Sequence, residues 1–285
     1  VKITAAKADV STLSDEAKQA VGDRPVYNFS VTSGDKTISQ FGGSVTVAVP
    51  YTPKPGENPN AIVIYYINAQ GKPEIVSNCK YDPATGTVTF NTTHFSQYAV
   101  GYNKVSFGDV PENAWYSKAV NFIAARGITS GSGNGQFSPL QKLTRGQFIV
   151  MVMKAYGISP DQNPAQNFAD AGNSYYTNYL AAAKRLGIAG GVGDNRFAPD
   201  KEITRQEMFV LLYNALKATG NIPEINGTKT LADFTDGGQV ASWAKDAMTF
   251  FVQTGKINGA GGKLSPTGTT SRAEMAQVLY NLLSK

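Results

Sequence analysis

One histidine and one cysteine, His94 and Cys79, bound the chemistry open to this chain of 285 residues. A Ser-His-Asp or Cys-His arrangement could be built only around His94, and a metal cluster of His or Cys ligands is excluded. The stretch Thr93-His94-Phe95-Ser96-Gln97-Tyr98 sets a base beside a hydroxyl. With His94 as base and Ser96 as nucleophile, an N-to-O acyl shift at a strained Phe95–Ser96 peptide is physically sensible. The preferred reading of the same residues is an ordinary last strand leading into a linker. The carboxylates are scattered and mark no glycosidase pair. Cys79, lacking a second cysteine, reads as a small buried hydrophobe. No cofactor or metal is expected.

A second group of residues is repeated. Leu143-Thr144-Arg145-Gly146-Gln147, Ile203-Thr204-Arg205-Gln206-Glu207 and Thr270-Ser271-Arg272-Ala273-Glu274 each precede an apolar helical run. Thr144, Thr204 and Ser271 are good N-cap residues, and Gln147, Glu207 and Glu274 stand three positions later, which makes three capping boxes. The arginine between them faces the positive end of the helix dipole, where carboxylates are preferred. Something other than helix stability keeps it there.

The elements that must position these residues fall into two regions. Residues 26–32, 44–49, 61–67, 87–90 and 95–100 are β-branched and aromatic runs separated by Gly, Pro and Asn, with a hairpin turn at 82–86. Only residues 14–21 read as helix there. Residues 1–103 are therefore expected to form an antiparallel β-sandwich with a stiff exposed loop at 52–60.

From Lys104 the period becomes helical and the chain repeats itself. Phe107-Gly108-Asp109, Phe168-Ala169-Asp170 and Phe234-Thr235-Asp236 open three units, over about residues 105–164, 165–230 and 231–285. Each runs through an aromatic near a helix start (Trp115, Tyr176, Trp243), a glycine stop at Gly127, Gly187 or Gly255, a glycine-rich loop, and a hydrophobic residue with proline two further on. From Phe137, Phe197 or Leu264 to the arginine the interval is always eight residues, a strong repeat signal. Apolar positions such as Phe148, Met151 and Val152, or Met208, Leu211 and Leu212, or Met275, Val278 and Leu279, form helical stripes. One helix pair cannot cover both of its faces, so the units pack on one another, in a line or as a closed bundle; periodicity does not choose. The connectors at 157–167 and 218–229 let the units reorient.

Composition sets outer limits. Hydrophobic residues make up 41% and charged residues 16%, and no apolar stretch approaches a membrane span. The net charge of +5 suits an anionic partner, but there is no basic run or aromatic RNA-binding signature, so nucleic acid is not expected. The chain opens at Val1 without a leader and reads as a processed chain or an excised fragment, with any enzyme lying upstream.

Residues 105–285 resemble three surface-layer homology (SLH) repeats, on the Phe-x-Asp opening, the aromatic-led helix, the Gly-Ile and glycine-rich loop, Phe-x-Pro, and Thr-Arg-Ala-Glu or its variants. The resemblance implies an all-α, pseudo-threefold helical spindle at 104–285, with ligand grooves between neighbouring repeats. It implies an extracellular anchor at the cell surface of a Gram-positive-type bacterium, held to secondary cell-wall polysaccharide that often carries pyruvate ketals. On that basis Arg145, Arg205 and Arg272 would clamp a carboxylate bidentately, beside free N–H groups of the helix end. Gly131, Gly190 and Gly259 would let the sugar approach the backbone.

Against each sharp reading stands a plain one. The arginines could form structural ion pairs with Asp109, Asp170 or Asp236; ligand contact is preferred, and both can hold. The three aspartates are expected to cap or close loops, and the aromatics to be core rather than sugar platforms. The loops at 131–135 and 190–195 lack the residues of phosphate or calcium loops. The His-Phe-Ser stretch is similar to self-cleaving domains of the ZU5 and GPCR-autoproteolysis type. The leading expectation is a non-catalytic wall anchor binding anionic polysaccharide. An autoproteolytic module cleaving at Phe95–Ser96 and a self-associating S-layer lattice unit are the alternatives.

Overall fold

The structure, a computed structural model, describes residues 2–38 and 40–284. It divides into two compact units, residues 1–131 with 283–285, and residues 132–282.

The first unit holds two antiparallel sheets. The larger runs in the order β1 (Lys2–Ala8), β2 (Val26–Ser33), β9 (Gln97–Tyr102), β5 (Ile62–Ile67), β6 (Pro73–Ile75), with β3 (Lys36–Ile38) also on β2. The smaller sheet is β4 (Gln40–Pro50), β8 (Thr87–His94), β7 (Lys80–Asp82). Inward residues of both sheets, among them Ile62, Ile64, Val88, Phe90 and Tyr98, form one core with Val21 of helix α1 (Asp15–Val21). Cys79 is fully buried in it, as a small hydrophobe should be. The turn at 82–86 forms because Asp82 accepts from the Ala84 N–H and Gly86 takes φ 65°. The loop at 52–60, expected to be stiff and exposed, buries one of its side chains. Glu57 is drawn inward by Tyr51 and Arg24, which hold its carboxyl below the ordinary range although burial opposes this.

Helix α2 (Ser117–Ala125), the first helix of the first repeat, is built into this unit. Its fixing point is Arg126, 2% exposed, which donates to the carbonyls of Asn60, Ile62 and Cys79. Asn103 adds a bond to the Ala125 carbonyl. A buried guanidinium is tolerable because carbonyl oxygens replace its lost water.

The second unit is helical: α3 (Arg145–Ala155), α4 (Thr177–Arg185), α5 (Arg205–Thr219), α6 (Lys245–Gln253) and α7 (Arg272–Leu283). Met151, Val152, Met208, Leu212, Met275 and Leu279 are buried along the expected stripes. Both capping bonds form at Thr144/Gln147, Thr204/Glu207 and Ser271/Glu274. Of the described helices, none is long and apolar enough to cross a membrane.

Candidate functional site

The residues just before α3, α5 and α7 are extended, and they hydrogen-bond to one another in a cycle. Leu143 N–H donates to Thr270 O at 2.9 Å, Ile203 N–H to Leu143 O at 2.9 Å, and Thr270 N–H to Ile203 O at 3.1 Å. All three side chains are fully buried. One turn outward, Arg145 N–H reaches Lys201 O, Arg205 N–H reaches Gly268 O, and Arg272 N–H reaches Gln141 O. A further layer joins Gly146 to Pro199, Gln206 to Pro266 and Ala273 to Pro139. The first N–H groups of a helix have no partner inside it. Here the first two bond to a neighbouring repeat and the third to the capping Thr or Ser. The expectation of free helix-end donors for a ligand is thereby corrected.

The arginine side chains continue the cycle. Arg145 Nε donates to Phe197 O at 2.8 Å, Arg205 Nε to Leu264 O at 2.9 Å, and Arg272 Nε to Phe137 O at 2.7 Å. Arg145 and Arg272 also lie over the rings of Phe197 and Phe137, 4.5 and 4.8 Å from their centroids. Leu264 offers no ring to Arg205. Arg145 Nη1 is 3.1 Å from Glu207 Oε1 and Arg205 Nη1 is 3.7 Å from Glu274 Oε1. Each carboxylate belongs to the capping box of the following repeat. Burial lowers the Arg145 and Arg205 pKa, against the opposing charges of Glu207 with Asp170 and Glu274 with Asp236. Guanidinium stays charged regardless.

The aspartates close loops. Asp170 accepts from the N–H groups of Phe197 and Ala198, and Asp236 from those of Leu264 and Ser265, all at 2.8 Å. Ala198 and Ser265 lie at φ 55° and 50°, where a side chain is strained. The Phe197–Ala198 peptide is thus gripped twice, its carbonyl by Arg145 and its N–H by Asp170.

Of the loop glycines, Gly131 and Gly259 have φ 86° and 66°. The residue of matching conformation in the second repeat is Gly191, φ 82°, one beyond Gly190. A Cβ on Gly191 or Gly259 would come within 2.5 Å of a carbonyl oxygen, of Arg196 or Lys263. A Cβ on Gly190 would meet nothing within 4 Å. Gly190 therefore borders open space.

That space is a cavity of about 570 Å³ whose walls include Arg145, Lys201, Glu207, Trp243, Gly190 and Gly191. Residues from all three repeats meet there. Arg145, 3% exposed, forms part of its base. Lys201, with its side chain 60% exposed and Nζ 3.6 Å from Glu207 Oε1, stands at its edge. Burial disfavours the charged form of Glu207. The bonds from Thr204 and the charges of Arg145 and Lys201 outweigh this and lower its pKa.

The core reading holds for Tyr176, 8% exposed, and fails for the two tryptophans. Trp115 and Trp243 are 61% and 57% exposed. In the second repeat the exposed ring is Tyr175; Tyr176 is the buried neighbour. Sequence reasoning also missed Lys201. Its signal was its register, four residues before Arg205, where the other copies have Gln141 and Gly268. In the first unit, His94 Nδ1 lies 3.3 Å from Tyr98 OH, and its ring meets Tyr66 edge-on.

Residues 106–149, 167–209 and 233–276 match the model of the S-layer homology domain. The chain carries three S-layer homology repeats. The chain is 32% identical over 257 residues to an amylopullulanase of Thermoanaerobacterium thermosulfurigenes, covering 88% of this chain and 14% of that protein. That match is longer than the repeat region and takes in part of the sheet unit. The S-layer protein sap of Bacillus anthracis is 30% identical over 61% of this chain and 21% of its own length. For the exoglucanase XynX of Acetivibrio thermocellus the figures are 32%, 64% and 16%. The chain thus spans about a fifth or less of these relatives. The repeats and S-layer relatives mark an extracellular, cell-surface chain with a wall-anchoring role.

Proposed function

We propose that the chain is a non-catalytic module that anchors its parent protein by binding an anionic, pyruvylated secondary cell-wall polysaccharide. The repeats act as a pseudo-threefold spindle with a binding groove between neighbours. The observation that carries this reading is the cavity where Arg145, Lys201, Glu207 and the exposed ring of Trp243 converge. An aromatic face with nearby cations suits a pyranose bearing a carboxylate. Arg145, with Arg205 and Arg272 at the equivalent places, brings positive charge to the groove base, and Gly190 leaves room for the sugar, the role proposed for Gly131 and Gly259 in the other repeats.

Sedimentation with purified cell walls, before and after removal of the acidic ketals, tests the reading. Binding is expected to fall on ketal removal and with added salt. Binding that is indifferent to both would sink it. Self-association into a lattice is a second reading, favoured by the S-layer relatives. Concentration-dependent assembly without wall polymer would support it.

A further inference from the structure

The basic residue best placed to meet a bound anion in this groove is not the repeated arginine. Arg145 has its Nε on the Phe197 carbonyl, its Nη1 on Glu207 and its plane over the Phe197 ring. Only 4% of its side chain is exposed. Turning it toward a ligand would break the link between repeats and leave the Phe197 carbonyl unpaired. Lys201 is held differently. Its backbone carbonyl accepts from Arg145 N–H in the cycle, which fixes where the residue starts, while its side chain is 60% exposed and lines the cavity.

We infer that Lys201 is the specificity-determining residue of this groove, pairing directly with the carboxylate of an acidic sugar whose ring face rests on Trp243. Arg145 and Glu207 are positioning residues beneath it. The inference deepens the proposed function and rests on it. Charge at the corresponding positions makes the three grooves unequal. Gln141 and Gly268 occupy the places that match Lys201, their carbonyls accepting from the Arg272 and Arg205 N–H groups. An ammonium on a flexible stem can follow a ketal carboxylate, whereas a buried fork cannot. The neighbouring Glu207 gives up part of its pairing when the ligand arrives, which favours a carboxylated sugar that also stacks over a free small anion.

The test uses the full chain and two probes, the methyl glycoside of a hexopyranose bearing a pyruvate ketal and the same glycoside without the ketal, titrated calorimetrically. Lys201→Gln is expected to weaken the acidic probe about tenfold, the worth of one charge-assisted hydrogen bond. Its affinity for the neutral probe should not change, and its salt dependence should flatten. Lys201→Arg should restore binding, and melting temperatures should stay together because the side chain is exposed. If Lys201→Gln binds the acidic probe as the parent does, while Trp243→Ala loses it, the inference falls and the groove reading survives. If neither probe binds the parent chain, both fall.

Discussion

Arg145 and Phe197 belong to different repeats, yet the guanidinium of one donates to the carbonyl of the other at 2.8 Å and lies 4.5 Å from its ring centroid. The arginine therefore resolves the conflict it poses with the helix dipole by joining its repeat to the next. Removing it leaves the Phe197 carbonyl without its side-chain donor and takes from Glu207 the nearer of its two cations, in a buried place. Arg145→Ala should destabilise the helical unit by about 3 kcal/mol, and Arg145→Lys should recover only part of this. Urea unfolding in a Trp115→Phe background reads it, since Trp243 then reports on the second unit alone. An unchanged midpoint for Arg145→Ala would refute the linking role.

The pH response follows from Glu207, Asp170 and Asp236, all held below their ordinary pKa values of 4.5, 3.8 and 3.8. A depressed folded pKa stabilises the fold above the unfolded value, and that stability is lost as pH falls through the folded one. Stability of the helical unit should be flat above about pH 5 and drop steeply below about pH 4. Glu207→Gln keeps the cap, as Gln147 shows at the first repeat, but removes one titrating group. Its acid limb should be shallower. Identical slopes for parent and variant in melts between pH 3 and 6 would exclude Glu207 as a contributor.

How much of this the sequence makes legible depends on whether a residue acts locally. Capping boxes, the glycine stop at Gly127 and the helical stripes are local and are read directly. The aspartate's loop-closing role was also legible, because a short acidic side chain two residues after an aromatic has few other tasks. Strand β1 was not, since its residues are mostly exposed and carry no buried alternation. Arg126 stands just before the Gly127 stop with no local sign of its role, and only the fold brings it to the Asn60 and Cys79 carbonyls. The exposed Tyr175 and the buried Tyr176 are adjacent and chemically alike, so nothing but helix phase separates them. The cycle through Leu143, Ile203 and Thr270 is non-local by construction.

Thr270 is the irregular member of that cycle. Leu143 and Ile203 present apolar side chains, whereas the Thr270 hydroxyl is fully buried with no hydrogen-bond partner among the described residues. A buried, unsatisfied hydroxyl costs more than a methyl group of the same shape. Thr270→Val should stabilise the second unit by about 1 kcal/mol. A lower urea midpoint for Thr270→Val would show that the hydroxyl has a partner.

Gly190 and Gly191 separate structure from function within one loop. Gly191 lies at φ 82°, and a Cβ there would stand 2.5 Å from Arg196 O and 2.9 Å from the Phe168 ring. Gly191→Ala must shift the backbone of its own loop, and a cost of about 2 kcal/mol or more is expected. Gly190 meets no protein atom within 4 Å of the same virtual atom, yet it lines the cavity beside Lys201 and Trp243. Gly190→Val should therefore melt close to the parent protein while losing retention on purified walls. The contrast is sharper than either variant alone, because a general folding defect would lower both readouts together. Retention of Gly190→Val at parental levels would move the sugar away from this loop, whatever the stability of Gly191→Ala.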